Sequence, residues 1–295
     1  MKHCWTVLIF LLACSTSALS ERMLPHIVST QWLSEQSTDR DIVVLQVGFS
    51  RNEFKLGHIP GSRFLWFNWL APSTPDLNSE MPSVADATMI LEDLGITRRS
   101  KIVLVFTGQN VSITTRMYLA FCYFGFEDRT AILDGGFERW KAEGRPVSKE
   151  MPDIKRSSLS LQTHPDIIVN AEWIRQNLDN AAVTIVDVRT KNFYDGSGGG
   201  IARQGHIKGA KHLVFNTVLD STGTMKPAAE LRSLFEAAGI AGGTTIVTYC
   251  HVGQQASLIF FAAQSLGYRA KMYDGSFEDW NVRDETYPVE KTTGP

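Results

Sequence analysis

The chain repeats itself once, and that repetition limits what it can fold into. Gly57-His58-Ile59-Pro60-Gly61-Ser62 returns as Gly205-His206-Ile207-Lys208-Gly209-Ala210. Leu133-Asp134-Gly135-Gly136-Phe137-Glu138-Arg139-Trp140 returns as Tyr273-Asp274-Gly275-Ser276-Phe277-Glu278-Asp279-Trp280. Between them, Leu94-Gly95-Ile96 and the apolar run 102–106 match Ala238-Gly239-Ile240 and the run 246–249, in the same order. A period of roughly 140 residues is too long for a solenoid and means two copies of one domain.

Each copy alternates β-branched runs with segments of 3.6-residue periodicity. The first predicts strands over 42–47, 102–106 and 130–133, with helices over 112–124 and 135–143. The second predicts strands over 183–188, 245–249 and 270–273, with helices over 227–238 and 254–266. Such alternation implies an α/β fold: a parallel sheet in each copy, its strands joined by right-handed helical crossovers. The domains are expected over 25–146 and 166–290. The Pro-, Ser- and Lys-containing stretch 147–165 reads as the linker.

Residues 1–20 stand apart. A basic start at Lys2 and His3 leads into an apolar run over 5–13, and Ala18-Leu19-Ser20 offers a small-residue cleavage site. This is the form of a secretory signal peptide, too short to span a bilayer, so the chain is expected to be exported to the periplasm. Leu11-Leu12-Ala13-Cys14 allows an alternative in which Cys14 is lipidated. With 43% apolar and 20% charged residues and a net charge of −2, nothing calls for a nucleic-acid partner or a transmembrane segment.

Beyond the leader two cysteines remain. Cys122 falls in an apolar helical run and is expected to pack in a core. No disulfide between the two is expected, and no group of side chains has metal-ligand spacing. Cys250 is different: it ends the strand Thr245-Ile246-Val247-Thr248-Tyr249 and faces a short loop that feeds a helix. Backbone N–H groups and the helix dipole favour a sulfur anion there and lower its pKa, which is how a nucleophilic thiolate is built. Most free cysteines are simply small buried hydrophobes. Gly253 argues against that alternative, because it lets the loop curl and aim several amides at one point.

Together the two Gly-His-Ile-x-Gly elements, the two Asp-Gly-x-Phe-x-x-Trp elements and the strand–Cys–loop–helix resemble the rhodanese family. The likeness, over about Pro25 to Glu290, is to the tandem form found in thiosulfate and 3-mercaptopyruvate sulfurtransferases. It implies an N-terminal domain without the catalytic cysteine and a C-terminal domain that carries it in a six-residue loop, here Cys250 to Gln255. It also implies sulfur transfer through a covalent persulfide on Cys250, with no other cofactor, from a small anionic sulfur donor to cyanide or a thiol. The amides of His251, Val252, Gly253, Gln254 and Gln255 would hold the terminal sulfur. Arg189 fits the position of the donor-binding arginine, and Arg203 is a second candidate. The first copy has Thr107 opposite Cys250, and Gln46-Val47-Gly48 opposite Asp187-Val188-Arg189.

The loop departs from both family patterns. Thiosulfate-type members usually carry Arg and Lys there, and mercaptopyruvate-type members read Cys-Gly-x-Gly-Val-Thr. His251 is expected either to supply a switchable positive charge, which favours thiosulfate, or to point to solvent. A cysteine-loop phosphatase would need an arginine where Gln255, Ala256 and Ser257 stand. A carrier that hands persulfide sulfur to a partner is the non-enzymatic alternative.

Overall fold

The computed structural model describes residues 22–240 and 242–292. The expected signal peptide and Cys14 lie outside them. In the first copy the chain runs through β1 (Ile27–Val28), α1 (Thr30–Glu35), β2 (Ile42–Gly48), α2 (Arg51–Leu56), β3 (Arg63–Trp66) and α3 (Phe67–Leu70). It continues through α4 (Val84–Asp93), β4 (Lys101–Val105), α5 (Val111–Tyr123), β5 (Thr130–Leu133) and α6 (Gly136–Ala142). All five strands are parallel, in the order β1-β5-β4-β2-β3.

The second copy repeats this with β6 (Ile168–Val169), α7 (Ala171–Gln176), β7 (Val183–Asp187), α8 (Lys191–Asp195), β8 (His206–Ile207) and β9 (Lys211–His212). There follow α9 (Ala228–Ala237), β10 (Thr245–Tyr249), α10 (Gln254–Ser265), β11 (Ala270–Tyr273), α11 (Ser276–Val282) and β12 (Val289–Glu290). Its sheet order, β6-β11-β10-β7-β9, is the first sheet's order again, and β8 pairs separately with β12. The six strands read from sequence are present, with bounds differing by no more than one residue. The short edge strands β1, β3, β6 and β9 had too few residues to show a period.

The central strands are apolar along their length because helices cover both faces of each sheet. Ile102, Val103, Leu104 and Val105 of β4 are all fully buried. The helices just after the two central strands, α5 and α10, pack on each other and join the domains. Eleven of the thirteen residues of α5 are buried, as expected of a helix covered on every side. Thr115 Oγ1 lies 2.8 Å from Ser257 Oγ, and the rings of Tyr118 and Phe261 meet edge-on at 4.8 Å. One continuous apolar core runs through both helices.

Residues 149–164 form no helix or strand, yet they are tied down. The Leu159 amide donates to Glu92 Oε1 and the His164 amide to the Tyr123 carbonyl. Among the described residues no helix is long and apolar enough to cross a membrane.

Candidate active site

Cys250 follows the last residue of β10 directly, so the strand fixes where its backbone lies. The Cys250 amide donates to Ser276 Oγ, and the Phe277 and Glu278 amides donate back to the carbonyls of Cys250 and His251. The loop is thus clamped onto the start of α11. Gly253 caps α10 with φ +81°, and a Cβ on it would come within 3.0 Å of the Asp274 carbonyl oxygen. Only glycine turns the chain there without strain. The turn gathers the amides of Val252, Gly253, Gln255 and Ala256 near the Cys250 thiol, where they favour its anion.

That cradle can hold a sulfur anion, but the resting thiol is not acidic. Cys250 is 1% exposed, and burial pushes its pKa above the ordinary thiol value; the four amides oppose the rise without cancelling it. The expectation of a lowered pKa is corrected on this point: the loop amides act to lower it, and desolvation outweighs them. Cys122 lies in α5, fully buried, its thiol pushed well up by the same cause. Both cysteines are free.

Arg189 has no exposed surface. Its Nη2 donates to Asp187 Oδ2 at 2.6 Å and to the Gly205 carbonyl at 2.6 Å, and its Nε also reaches Asp187. The guanidinium carbon sits 3.9 Å from the centre of the Phe277 ring, while Tyr249 donates its hydroxyl to Asp187. The Ile207 amide in turn donates to the Tyr249 hydroxyl. This buried network ties the Gly-His-Ile motif to the strand ends beside Cys250. Burial works against the Arg189 charge, but the Asp187 carboxylate outweighs it and keeps the guanidinium firmly protonated. Only Nη1 has no partner.

His251 packs edge-on against Phe193 at 4.4 Å. Burial lowers its pKa and the nearby Arg189 charge lowers it further, so the ring is neutral at pH 7. It is not a ready cation, which corrects that expectation, and it is partly buried against Phe193. Gly198, from the Gly198-Gly199-Gly200 insertion, lies so close to Phe193 that a Cβ would fall 2.6 Å from the ring. Arg203 is placed elsewhere. Its guanidinium donates to the carbonyls of Trp280, Asn281 and Tyr287, which makes it a cap on the C-terminal end of α11. The donor-binding expectation for Arg203 does not fit these occupied donors.

Sequence reasoning did not identify the side chains that the first domain brings to the site. Arg116, fully buried in α5, reaches across to Asp274 with Nη1 to Oδ1 at 2.7 Å, and its Nη2 donates to the Ser79 carbonyl. Gln254 of the cysteine loop donates to Ser79 Oγ at 2.9 Å, and Asn78 donates twice to Glu278. The available signal was an arginine immediately before the apolar run 117–122 of a helix, a place where charge persists only with a partner.

A protein-family model described as Rhodanese-like domain matches residues 29–143 and again residues 170–283. The chain belongs to the rhodanese family. Three relatives agree. The sulfur carrier protein TtuD of Thermus thermophilus is 30% identical over 271 residues, covering 86% of this chain and 93% of the relative. Thiosulfate/3-mercaptopyruvate sulfurtransferase 2 of Arabidopsis thaliana is 28% identical and covers 86% and 83%. The thiosulfate sulfurtransferase of Azotobacter vinelandii is 26% identical and covers 90% and 97%. The relatives make this rhodanese a member of the sulfurtransferase kind. In fold it is similar to the crystal structure of YnjE, with TM-score 0.81, 23% identity and coverage of 91% and 69%. It is also similar to an anaerobic ergothioneine biosynthesis enzyme from Chlorobium limicola, with TM-score 0.79, 21% identity and coverage of 91% and 71%.

Proposed function

We propose that this rhodanese moves a sulfane sulfur from thiosulfate or 3-mercaptopyruvate to cyanide or a thiol through a persulfide on Cys250. The observation that carries the reading is the placement of buried Cys250 directly after β10, in the tight Gly253 turn that opens α10, with loop amides that favour its anion. In the first step the Cys250 thiolate attacks the outer sulfur of the donor. A new S–S bond forms, and the bond between donor and sulfur breaks with its electron pair on the departing sulfite or pyruvate enolate. In the second step cyanide or a thiolate attacks the terminal sulfur and returns Cys250 as thiolate. The amides of residues 252, 253, 255 and 256 stabilise the anionic sulfur in both steps, fixed in place before the charge arrives.

The neutral His251 bears on donor choice. The loop 251–255 brings no cation, and Arg189 is already paired with Asp187, so a singly charged donor such as 3-mercaptopyruvate is favoured over dianionic thiosulfate. Persulfide hand-over to a protein partner is the second reading, favoured by the relative named a sulfur carrier protein. Residues 1–20 support export to the periplasm.

The test is intact mass after brief exposure to each donor, beside Cys250→Ser. A gain of about 32 Da, confined to the wild type and removed by cyanide, supports the reading. No adduct with either donor, or an adduct that survives in Cys250→Ser, removes it.

A further inference from the structure

The N-terminal domain holds a cavity of about 540 Å³ that shares no lining residue with the Cys250 site. It lies between α2, the β3–α3 segment, the end of α4 and the linker. Phe64 and Trp69 supply aromatic wall, and Met151 and Ile154 of the linker close the opposite side. The volume falls within the range of about 300–1,000 Å³ typical of small-molecule sites.

Its charges are unbalanced. Arg51 and Lys55 line the cavity from α2, and among the described residues neither has an ion-pair or side-chain hydrogen-bond partner. Asp93 is the carboxylate among the lining residues, and it is taken up by Arg156 Nη1 at 2.6 Å. Behind the same wall, the Arg63 guanidinium donates to the Leu94 carbonyl. Like charges four apart on a helix disfavour it. The other copy of the domain shows the usual solution: α8 pairs Lys191 with Asp195, also four residues apart. In α2 Arg51 is followed four residues later by Lys55 instead.

We propose that this cavity binds a small organic anion whose charge is taken by Arg51 and Lys55 and whose aromatic body lies against Phe64 and Trp69. Two exposed cations at the rim supply the attraction, and the aromatic walls take the apolar body of the ligand. The Phe64 and Trp69 rings, inclined at 65° to each other, offer a planar ring a face and an edge. The cavity is distinct from the sulfur-transfer site, and its occupancy does not depend on Cys250.

Titration with 1-anilinonaphthalene-8-sulfonate tests this, because the probe is itself an aromatic anion that brightens in apolar surroundings. The full chain is expected to show saturable enhancement that weakens with added salt. The double variant Arg51→Glu/Lys55→Glu should raise the dissociation constant at least tenfold, and Trp69→Leu should weaken binding as well. Persulfide loading of Cys250 should be unchanged in both, which shows that the variants fold. 2-Naphthoate should displace the probe, and 1-naphthylmethylammonium, with a similar aromatic body and the opposite charge, should not. Absence of saturable enhancement overturns the proposal, as do equal binding by the charge-reversed variant and equal displacement by the ammonium compound.

Discussion

At the scale of single residues, Arg189 and Asp187 are two charges with no exposed surface, each satisfied chiefly by the other. Such a pair adds little net stability, but breaking it leaves a charge alone in a low dielectric. Arg189→Met is therefore expected to cost about 3–5 kcal/mol in urea unfolding, and Asp187→Asn in the same chain should recover part of that loss. A change in donor KM with unaltered unfolding would show instead that Arg189 serves the donor and not the frame. His58 and His206 show a milder form of the same economy. Each ring hydrogen-bonds a nearby carbonyl, of Phe54 and of Tyr194, and stacks on that residue's ring.

At the scale of elements, what matters is how the ends of helices are held. The carbonyls at the end of α11 carry partial negative charge, and Arg203 meets four carbonyls at and beyond that end with one guanidinium. Arg203→Met should lower stability by about 1–2 kcal/mol while leaving the KM for any sulfur donor unchanged, measured by thermal unfolding beside steady-state kinetics. A raised KM without loss of stability would return Arg203 to the site. The start of α11 matters for a different reason, since the Phe277 and Glu278 amides fasten the cysteine loop. The Asp-Gly-x-Phe-x-x-Trp motif thus reaches the candidate site through its backbone, while its Trp140 and Trp280 pack in the cores.

At the scale of the whole molecule, the two domains share a core and a belt of polar contacts, so the first domain forms part of the frame around Cys250. Glu80 sits on that belt. Burial raises its carboxyl from the usual 4.5 to about 7, the nearby Asp274 carboxylate adds to the rise, and Arg116 opposes it. Glu278 and Asp279 face it from α11 and also push it up. The folded chain therefore holds a proton that the unfolded chain has released, and the associated stability is full below about pH 4.5 and lost as pH rises through about 7. Allowing for solvent screening of a partly exposed group, the loss should be about 1–2 kcal/mol. Glu80→Gln should flatten this slope in unfolding curves collected between pH 5 and 8. An equal slope in wild type and variant would assign it to another group.

The sequence alone determined the duplication, the parallel α/β architecture, six strands to within one residue and the place of Cys250 at a strand end before a helix. These are local or repeated signals, set by side-chain period, turn chemistry and a motif that occurs twice. Tertiary structure alone decided the electrostatics. Whether a thiol is acidic, a histidine charged or an arginine free depends on which groups a distant segment brings close and how much water they exclude. His251 is neutral because Phe193 and Arg189 stand beside it. Arg203 caps a helix that begins some seventy residues later. Arg116 in one domain meets Asp274 in the other. None of these distances is written in sequence spacing, because each is set by how two sheets and their helices close over one another.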